Sequence, residues 1–353
     1  MAHELVKSLL GILLFALLFT SSAAAQELDP QQPLQRILFG SCIKQEQPLP
    51  IVDAMLREQP QLLLMLGDNI YADTADMAVM QAKYETLAQH PEFRRLKAAC
   101  PILATWDDHD YGLNDGGADF PKRDAAQRLF VDFWGDRADS PRRTRPGVYE
   151  AHIYGPPGQR VQIILLDTRY FRSPLKQGER RVGGPYVPDN DPTKTMLGEA
   201  QWAWLAEQLK TPAEFRLIGT SIQFAASDAG QETWSNFPRE QQRLVELIAS
   251  TKANGVVLLS GDRHWAELSA WEDAAPYPLY DLTSSSLNQL HRRGTPTENT
   301  RRVDERTWHQ ENYGLVTINW APGDPVLTMS VRDMQGATRI EKTIRFSELR
   351  SNR

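Results

Sequence analysis

The stretch LLLMLGDNIYAD, residues 62–73, sets five apolar residues against a glycine and a run of polar, ligand-grade side chains. A short apolar run closed by turn formers reads as a buried strand. In open α/β sheets, ligands gather at the carboxyl ends of such strands, so Asp68 and Asn69 stand where chemistry is expected. The same arrangement recurs along the chain. Ile102–Trp106 runs into Asp107-Asp108-His109-Asp110-Tyr111-Gly112, followed by Asn114 and Asp115. Val256–Ser260 runs into Gly261-Asp262-Arg263-His264-Trp265, Arg36–Phe39 into Gly40-Ser41-Cys42, and Val161–Leu166 into Asp167-Thr168-Arg169.

Three further runs, Arg216–Thr220, Leu315–Trp320 and Val326–Val331, have the length and β-branched content of strands. Helical periodicity falls between them over Leu49–Glu58, Ala75–Leu87, Arg123–Trp134, Gly198–Leu209 and Arg239–Thr251. From about residue 313 the pattern is of consecutive strands. A β-α alternation that closes in hairpins predicts an α/β fold, a four-layer α/β/β/α sandwich. Residues 172–197 are expected to form a longer excursion over a site.

The bulk properties narrow the classes. A chain of 353 residues with 41% hydrophobic residues is long enough for a sizeable core. A net charge of −6 lacks the basic field of a phosphate-backbone binder, so no nucleic acid is expected. At the N-terminus Lys7 precedes an apolar run, Leu9–Phe19, then Ala23-Ala24-Ala25 and Gln26. Charged, apolar, small is the order of a signal peptide. The run is too short to span a bilayer comfortably. The organisation expected is a signal peptide over 1–25 cleaved near Ala25-Gln26, a lead-in over 26–34 and one catalytic domain over 35–348. The mature chain is then periplasmic or secreted, with no stable membrane span.

The strand-end residues carry the chemistry. Buried ionisable groups without partners cost several kcal/mol each, and cations offset that cost. Gly67-Asp68-Asn69 alone reads as a turn or helix cap; beside the other strand ends it reads as a metal ligand. Asp107-Asp108-His109-Asp110 packs three carboxylates around one imidazole and supplies oxygen ligands plus a His acid or electrophile. Asp262 and His264 alternate on one face of an extended segment, a chelate spacing, with Arg263 pointing away. Gly219-Thr220-Ser221-Ile222-Gln223 lacks the second glycine of a serine-hydrolase elbow.

GSC, GDNIYAD, WDDHDYG, LDTR and SGDRHW, in that order, resemble the PhoD-like (alkaline phosphatase D) branch of the calcineurin-type metallophosphoesterases, over about residues 36–270. The resemblance implies a metal-dependent phosphoric ester hydrolase with two or more metal ions, iron plus calcium or another pair. It implies Cys42, Asp68, Tyr84, Asp108, Asp262 and His264 as metal ligands, His109 as the catalytic acid, and Arg169 as the arginine that clamps phosphate oxygens. Asn69, Gln223 and Trp234 complete the substrate site; Trp234 precedes a helix and is expected to form a pocket wall. Gly40-Ser41-Cys42 replaces the Asp-x-His motif that opens the wider superfamily. For Cys42, a disulfide with Cys100 is the alternative to metal ligation.

The mechanism implied is attack on phosphate mono- or diesters by a metal hydroxide, with Arg169 absorbing equatorial charge. Two alternatives stand beside it: a phospholipid-directed phosphodiesterase, which needs an apolar rim, and a non-catalytic exported protein that binds metal or phosphate.

Overall fold

The structure is a computed structural model and describes residues 28–351 except 182–183, 228–229, 275, 292–298, 304 and 322. The expected signal peptide and its cleavage position lie outside the described residues. Among the described residues, no helix is long and apolar enough to cross a membrane.

In chain order the elements are β1 (Arg36–Gly40), α1 (Val52–Arg57), β2 (Leu62–Leu66), α2 (Met77–Gln89), α3 (Pro91–Ala99), β3 (Ile102–Thr105), α4 (Asp108–Tyr111) and α5 (Arg123–Trp134). Then come β4 (Glu150–Tyr154), β5 (Val161–Leu165), β6 (Gln177–Arg181), β7 (Gly184–Tyr186), α6 (Gly198–Lys210), β8 (Phe215–Thr220), α7 (Pro238–Thr251) and β9 (Val256–Ser260). The chain closes with β10 (Ala266–Trp271), β11 (Leu279–Ser284), β12 (Asn312–Asn319), β13 (Val326–Asp333) and β14 (Thr338–Arg345).

Two sheets carry the architecture. The first has the order β14-β13-β12-β1-β2-β3, the second β10-β11-β9-β8-β5-β4. β1, β2 and β3 are parallel to one another, as are β5, β8, β9 and β11. Their carboxyl ends therefore open on a common edge. The period-2 alternation of strand side chains divides the apolar residues between two clusters. Ile37 and Phe39 of β1 and Leu62, Leu64 and Leu66 of β2 join the cluster shared with the second sheet. Leu38, Leu63 and Met65 face α1, α2, α3 and α5. On the far side, Trp202 and Leu205 of α6 and Leu244 and Ile248 of α7 cover the second sheet. The result is the expected helix, sheet, sheet, helix sandwich.

The eight expected strands and five expected helices all form, with ends shifted by a few residues. Eight elements lie outside that reading: α3, α4, β4, β6, β7, β10, β11 and β14. Pro91 at the first turn of α3 starts a new helix straight after α2. The excursion at 172–197 holds the two-stranded β6–β7 ribbon, whose Pro185 and Tyr186 line the cavity described next.

Candidate active site

The loops after β1, β2 and β3 of one sheet and after β5, β8, β9 and β11 of the other meet at the common edge. Two glycines allow the approach. Gly67 has φ +101°, and a Cβ there would lie 2.5 Å from Asp107 Cβ. A Cβ on Gly261 would lie 2.5 Å from Ser41 Oγ. Six residues of these loops hold left-handed backbone that L-residues rarely adopt: Cys42 (φ 64°), Asp68 (50°), Asp73 (46°), Asp115 (54°), Asp262 (67°) and His264 (58°). Such conformations cost free energy and cluster where function demands them.

The ligand-grade atoms form overlapping groups, each within 4.8 Å: Cys42, Asp68 and His264; Asp68, Asp108 and His109; Asp107, Asp108 and Asp262; Asp108, Asp115 and Glu232. Asp68 and Asp108 are the shared members. In the first group the Cys42 thiol donates to Asp68 Oδ2 at 3.4 Å and lies 3.0 Å from Ser285 Oγ. The Tyr71 hydroxyl donates to Asp68 Oδ2 at 3.0 Å and lies 2.7 Å from His264 Nε2. The Ser285 hydroxyl accepts from the His264 backbone N–H at 2.8 Å.

Burial and crowding of the acids show in their protonation. Burial, then the neighbouring Cys42 and Asp108, raises Asp68 well above the usual carboxylate range. Burial raises Asp107 likewise, although Arg169 opposes it. Burial pushes Asp262 to about 7 and the Cys42 thiol to about 12. Asp68 Oδ1 and Asp107 Oδ2 are buried with no hydrogen-bond partner among the described residues. Thiol, imidazole, phenol and bare carboxylate oxygens at this spacing fit metal ions.

Asp110 organises the loops beneath. It accepts from the backbone N–H groups of Asp68 at 3.2 Å, Asn69 at 3.2 Å and Asp107 at 2.7 Å. His109 Nδ1 lies 2.6 Å from Asp73 Oδ1. Burial alone would lower its pKa, but Asp73, Asp68 and Asp108 outweigh burial and raise it to about 11. A doubly protonated His109 thus faces the cavity. His264 behaves oppositely: burial, then His109 and His291, lowers it to about 4, leaving it neutral and free to ligate.

A cavity of about 320 Å³ opens onto these groups, lined by Asp108, His109, Asp115, Glu232, Asp262 and His264 among others. Arg169 lies behind it and is fully buried. Its Nε donates to Asp107 Oδ1 at 2.6 Å and its Nη1 to Glu232 Oε2 at 2.6 Å, while Nη2 pairs with Asp107 as well. Glu232 Oε1 lies 3.0 Å from Arg172 Nε. Asp115 accepts from the Tyr186 hydroxyl at 2.6 Å. Arg263 lines the cavity too, although buried, with its guanidinium 4.4 Å from the Trp265 ring centre.

Of the residues expected from sequence, Cys42, Asp68, Asp108, His109, Asp262 and His264 are brought together. Asn69 lies beside them, its Nδ2 donating to Thr105 O at 2.9 Å and its Oδ1 without a partner among the described residues. Five expectations are corrected by the geometry. Tyr84 sits on α2 with its ring 4.5 Å from Phe133, inside the second apolar cluster, and its phenol has no hydrogen-bond partner among the described residues. Trp234 is fully buried: its Nε1 donates to Thr220 Oγ1 at 2.9 Å and its ring packs on Trp202 and Phe224, so it is core and not a pocket wall. Gln223 faces inward, its Nε2 donating to Thr283 Oγ1 at 2.8 Å and to Glu267. Arg169 is turned to Asp107 and Glu232, with Nε and Nη1 donating and Nη2 ion-paired to Asp107, and Arg263 lines the cavity rather than pointing away. Both cysteines are free, so Cys42 and Cys100 form no disulfide. Sequence reasoning missed Tyr71, Asp73, Glu232 and Ser285. For Tyr71 the signal available was its position three residues beyond Asp68.

A sequence profile of the PhoD-like phosphatase family matches residues 37–320. Alkaline phosphatase D of Bacillus subtilis (strain 168) is 26% identical over 276 residues, which are 66% of this chain and 47% of that protein. The chain thus spans about half the length of the curated relative it matches. A solved structure of PhoD superposes with a TM-score of 0.67 at 20% identity, over 89% of this chain and 72% of that one. GAP50, the anchor in the inner membrane complex of Plasmodium, gives 0.56 at 13% identity over 91% and 90%. A dimetal phosphatase from Danio rerio gives 0.51 at 12% identity over 91% and 100%. At these identities the structural matches show the fold.

Proposed function

Because the chain belongs to the PhoD-like phosphatase family, we propose that it hydrolyses phosphate esters in the cavity at the strand ends, with two or more metal ions held there. One observation carries the reading: nine buried or half-buried ligand residues from two sheets converge, and two of their carboxylate oxygens are left without partners among the described residues. Cys42, Asp68 and His264, with the Tyr71 hydroxyl in reach, form a thiolate-bearing pole that suits a softer transition metal such as iron. Asp107, Asp108 and Asp262 form an all-oxygen pole that suits a harder ion such as calcium. Bound there, the ions would supply Lewis-acid charge neutralisation and activation of water.

The chain's own residues supply the rest. Asp68 and Asp108 each belong to more than one ligand group and so fix the spacing of the poles. His109, kept protonated by Asp73, donates a proton to the leaving oxygen. Asp73 is a positioning residue, because it holds Nδ1 and directs Nε2 into the cavity. Arg169 anchors Asp107 and Glu232 and keeps those carboxylates in place.

The rim supports a small polar ester over a phospholipid, since its described side chains include Asn114, Tyr186, Gln231 and His291. The charged, apolar, small order of residues 7–25 supports export to the periplasm or beyond. Elemental analysis of purified protein, combined with turnover of a chromogenic phosphomonoester and diester, tests the reading. A transition metal near stoichiometry with chelator-sensitive hydrolysis is expected. A metal-free protein that gains no turnover on metal addition would refute it. In His109→Ala, metal content should persist while turnover falls; unchanged turnover would remove the acid role from His109.

A further inference from the structure

Among the described residues that line the cavity, Arg263 is a cation whose hydrogen-bonding edge is unspent. Arg263 is 3% exposed. Its Nη1 lies 3.8 Å from Asp262 Oδ2, beyond hydrogen-bonding distance. Its Nε and Nη2 have no hydrogen-bond partner among the described residues. These two nitrogens share one side of the planar guanidinium, so their N–H bonds run parallel and match two oxygens of a phosphate group. A buried guanidinium whose anion, here Asp262 at 3.8 Å, is too far to accept a hydrogen bond leaves part of its burial cost unmet. The Trp265 ring 4.4 Å away offsets part of that cost and holds the plane in position.

Two carboxylates of the cavity, Glu232 and Asp115, are already committed. Glu232 is shared between Arg169 and Arg172, and Asp115 accepts from Tyr186. Neither is within ion-pairing distance of Arg263. The unspent edge therefore awaits an anion that enters from outside, in the same cavity as Asp108, His109 and His264.

We infer that Arg263, and not Arg169, binds the phosphate group of the substrate through its Nε–Nη2 edge, and that it favours dianionic monoesters over monoanionic diesters. The preference follows from Coulomb's law: a fixed cation gains more from two charges than from one at equal distance. The inference rests on the phosphoesterase reading above.

The test is calorimetric titration of inorganic phosphate into the metal-loaded full protein, as wild type, Arg263→Gln and Arg263→Lys. Metal content, melting temperature and ester kinetics are measured on the same samples. Arg263→Gln should weaken phosphate binding by about tenfold or more, since hydrogen bonds to a charged group are lost, with metal content unchanged. Arg263→Lys keeps the stem and charge over Trp265 but not the fork, so it should recover only part of the affinity and fold as wild type does. KM for a monoester should rise more than KM for a diester. Phosphate affinities within twofold of wild type in both variants would overturn the inference. So would a drop in melting temperature or metal content with phosphate affinity retained, which is the mark of a purely structural arginine. If wild type itself neither binds phosphate nor turns over an ester, the phosphoesterase reading falls first, and the two failures are told apart.

Discussion

Asp73→Asn is the substitution that isolates proton donation from metal binding. Asp73 Oδ1 lies 2.6 Å from His109 Nδ1, and the Asp73 side chain is 46% exposed against 16% for His109. A hydrogen bond to a charged group contributes about 1.5–3 kcal/mol. Solvent screening of the half-exposed carboxylate places this pair at the low end. Loss of about 1.5 kcal/mol corresponds to roughly a tenfold fall in kcat. Asparagine retains the shape and an acceptor oxygen, so the fold and the ligand groups should stand. The assay is kcat over a series of phosphomonoesters that differ in leaving-group pKa. An aryl ester with a good leaving group needs little protonation and should lose little. An alkyl ester should show the full tenfold loss, because its alkoxide must take a proton as the bond breaks. An equal loss across the series, or none, would refute the assignment of His109 as the donor held by Asp73.

Asp68→Asn should lose metal from the pole of Cys42, Asp68 and His264 more than from that of Asp107, Asp108 and Asp262, since Asp68 belongs to the first and not to the second; elemental analysis that finds the ion of the first pole retained at full occupancy would contradict its ligand role. Tyr71→Phe should weaken metal retention against a chelator, whereas Tyr84→Phe should leave it unchanged. Removal of the partnerless Tyr84 hydroxyl should keep or raise stability by about 1 kcal/mol in chemical denaturation. Trp234→Ala should cost about 3–5 kcal/mol, as for other large buried aromatics, with KM little changed in the protein that remains folded.

Most of the fold was legible because buried parallel strands leave short, dense apolar runs, and Leu62–Leu66 and Val256–Ser260 match their observed strands residue for residue. β4, β10 and β11 were not, because polar residues such as Glu150, Glu267 and Asp281 interrupt their patterns and find partners only in the folded chain. The ligand-bearing strand ends were legible for the same reason that they work: a polar cluster directly after an apolar strand is conspicuous. The assignments that failed depend on partners distant in sequence. Arg169 and Arg263 both sit near an aspartate at a strand end, and which one is consumed depends on Glu232, 63 residues from Arg169. Tyr71 and Tyr84 are both aromatic residues in mixed surroundings. Only the turn after β2 brings Tyr71 back to Asp68, while the face of α2 commits Tyr84 to Phe133. Trp234 looked solvent-facing ahead of a helix, yet a capped turn at Thr233 folds its indole under Trp202.

The ligand groups are divided between the two sheets, with Cys42, Asp68 and Asp108 on one and Asp262 and His264 on the other. The group of Cys42, Asp68 and His264 and that of Asp107, Asp108 and Asp262 each draw on both sheets, and more than 200 residues separate Cys42 from His264. Ions held by the groups that span both sheets would be captured only once the halves have docked, and would then tie the sandwich together. Whichever compartment hosts that docking sets the menu of metals the site meets first. A chain threaded across a membrane before it folds would be charged from the far side, and its complement of ions would record where it folded.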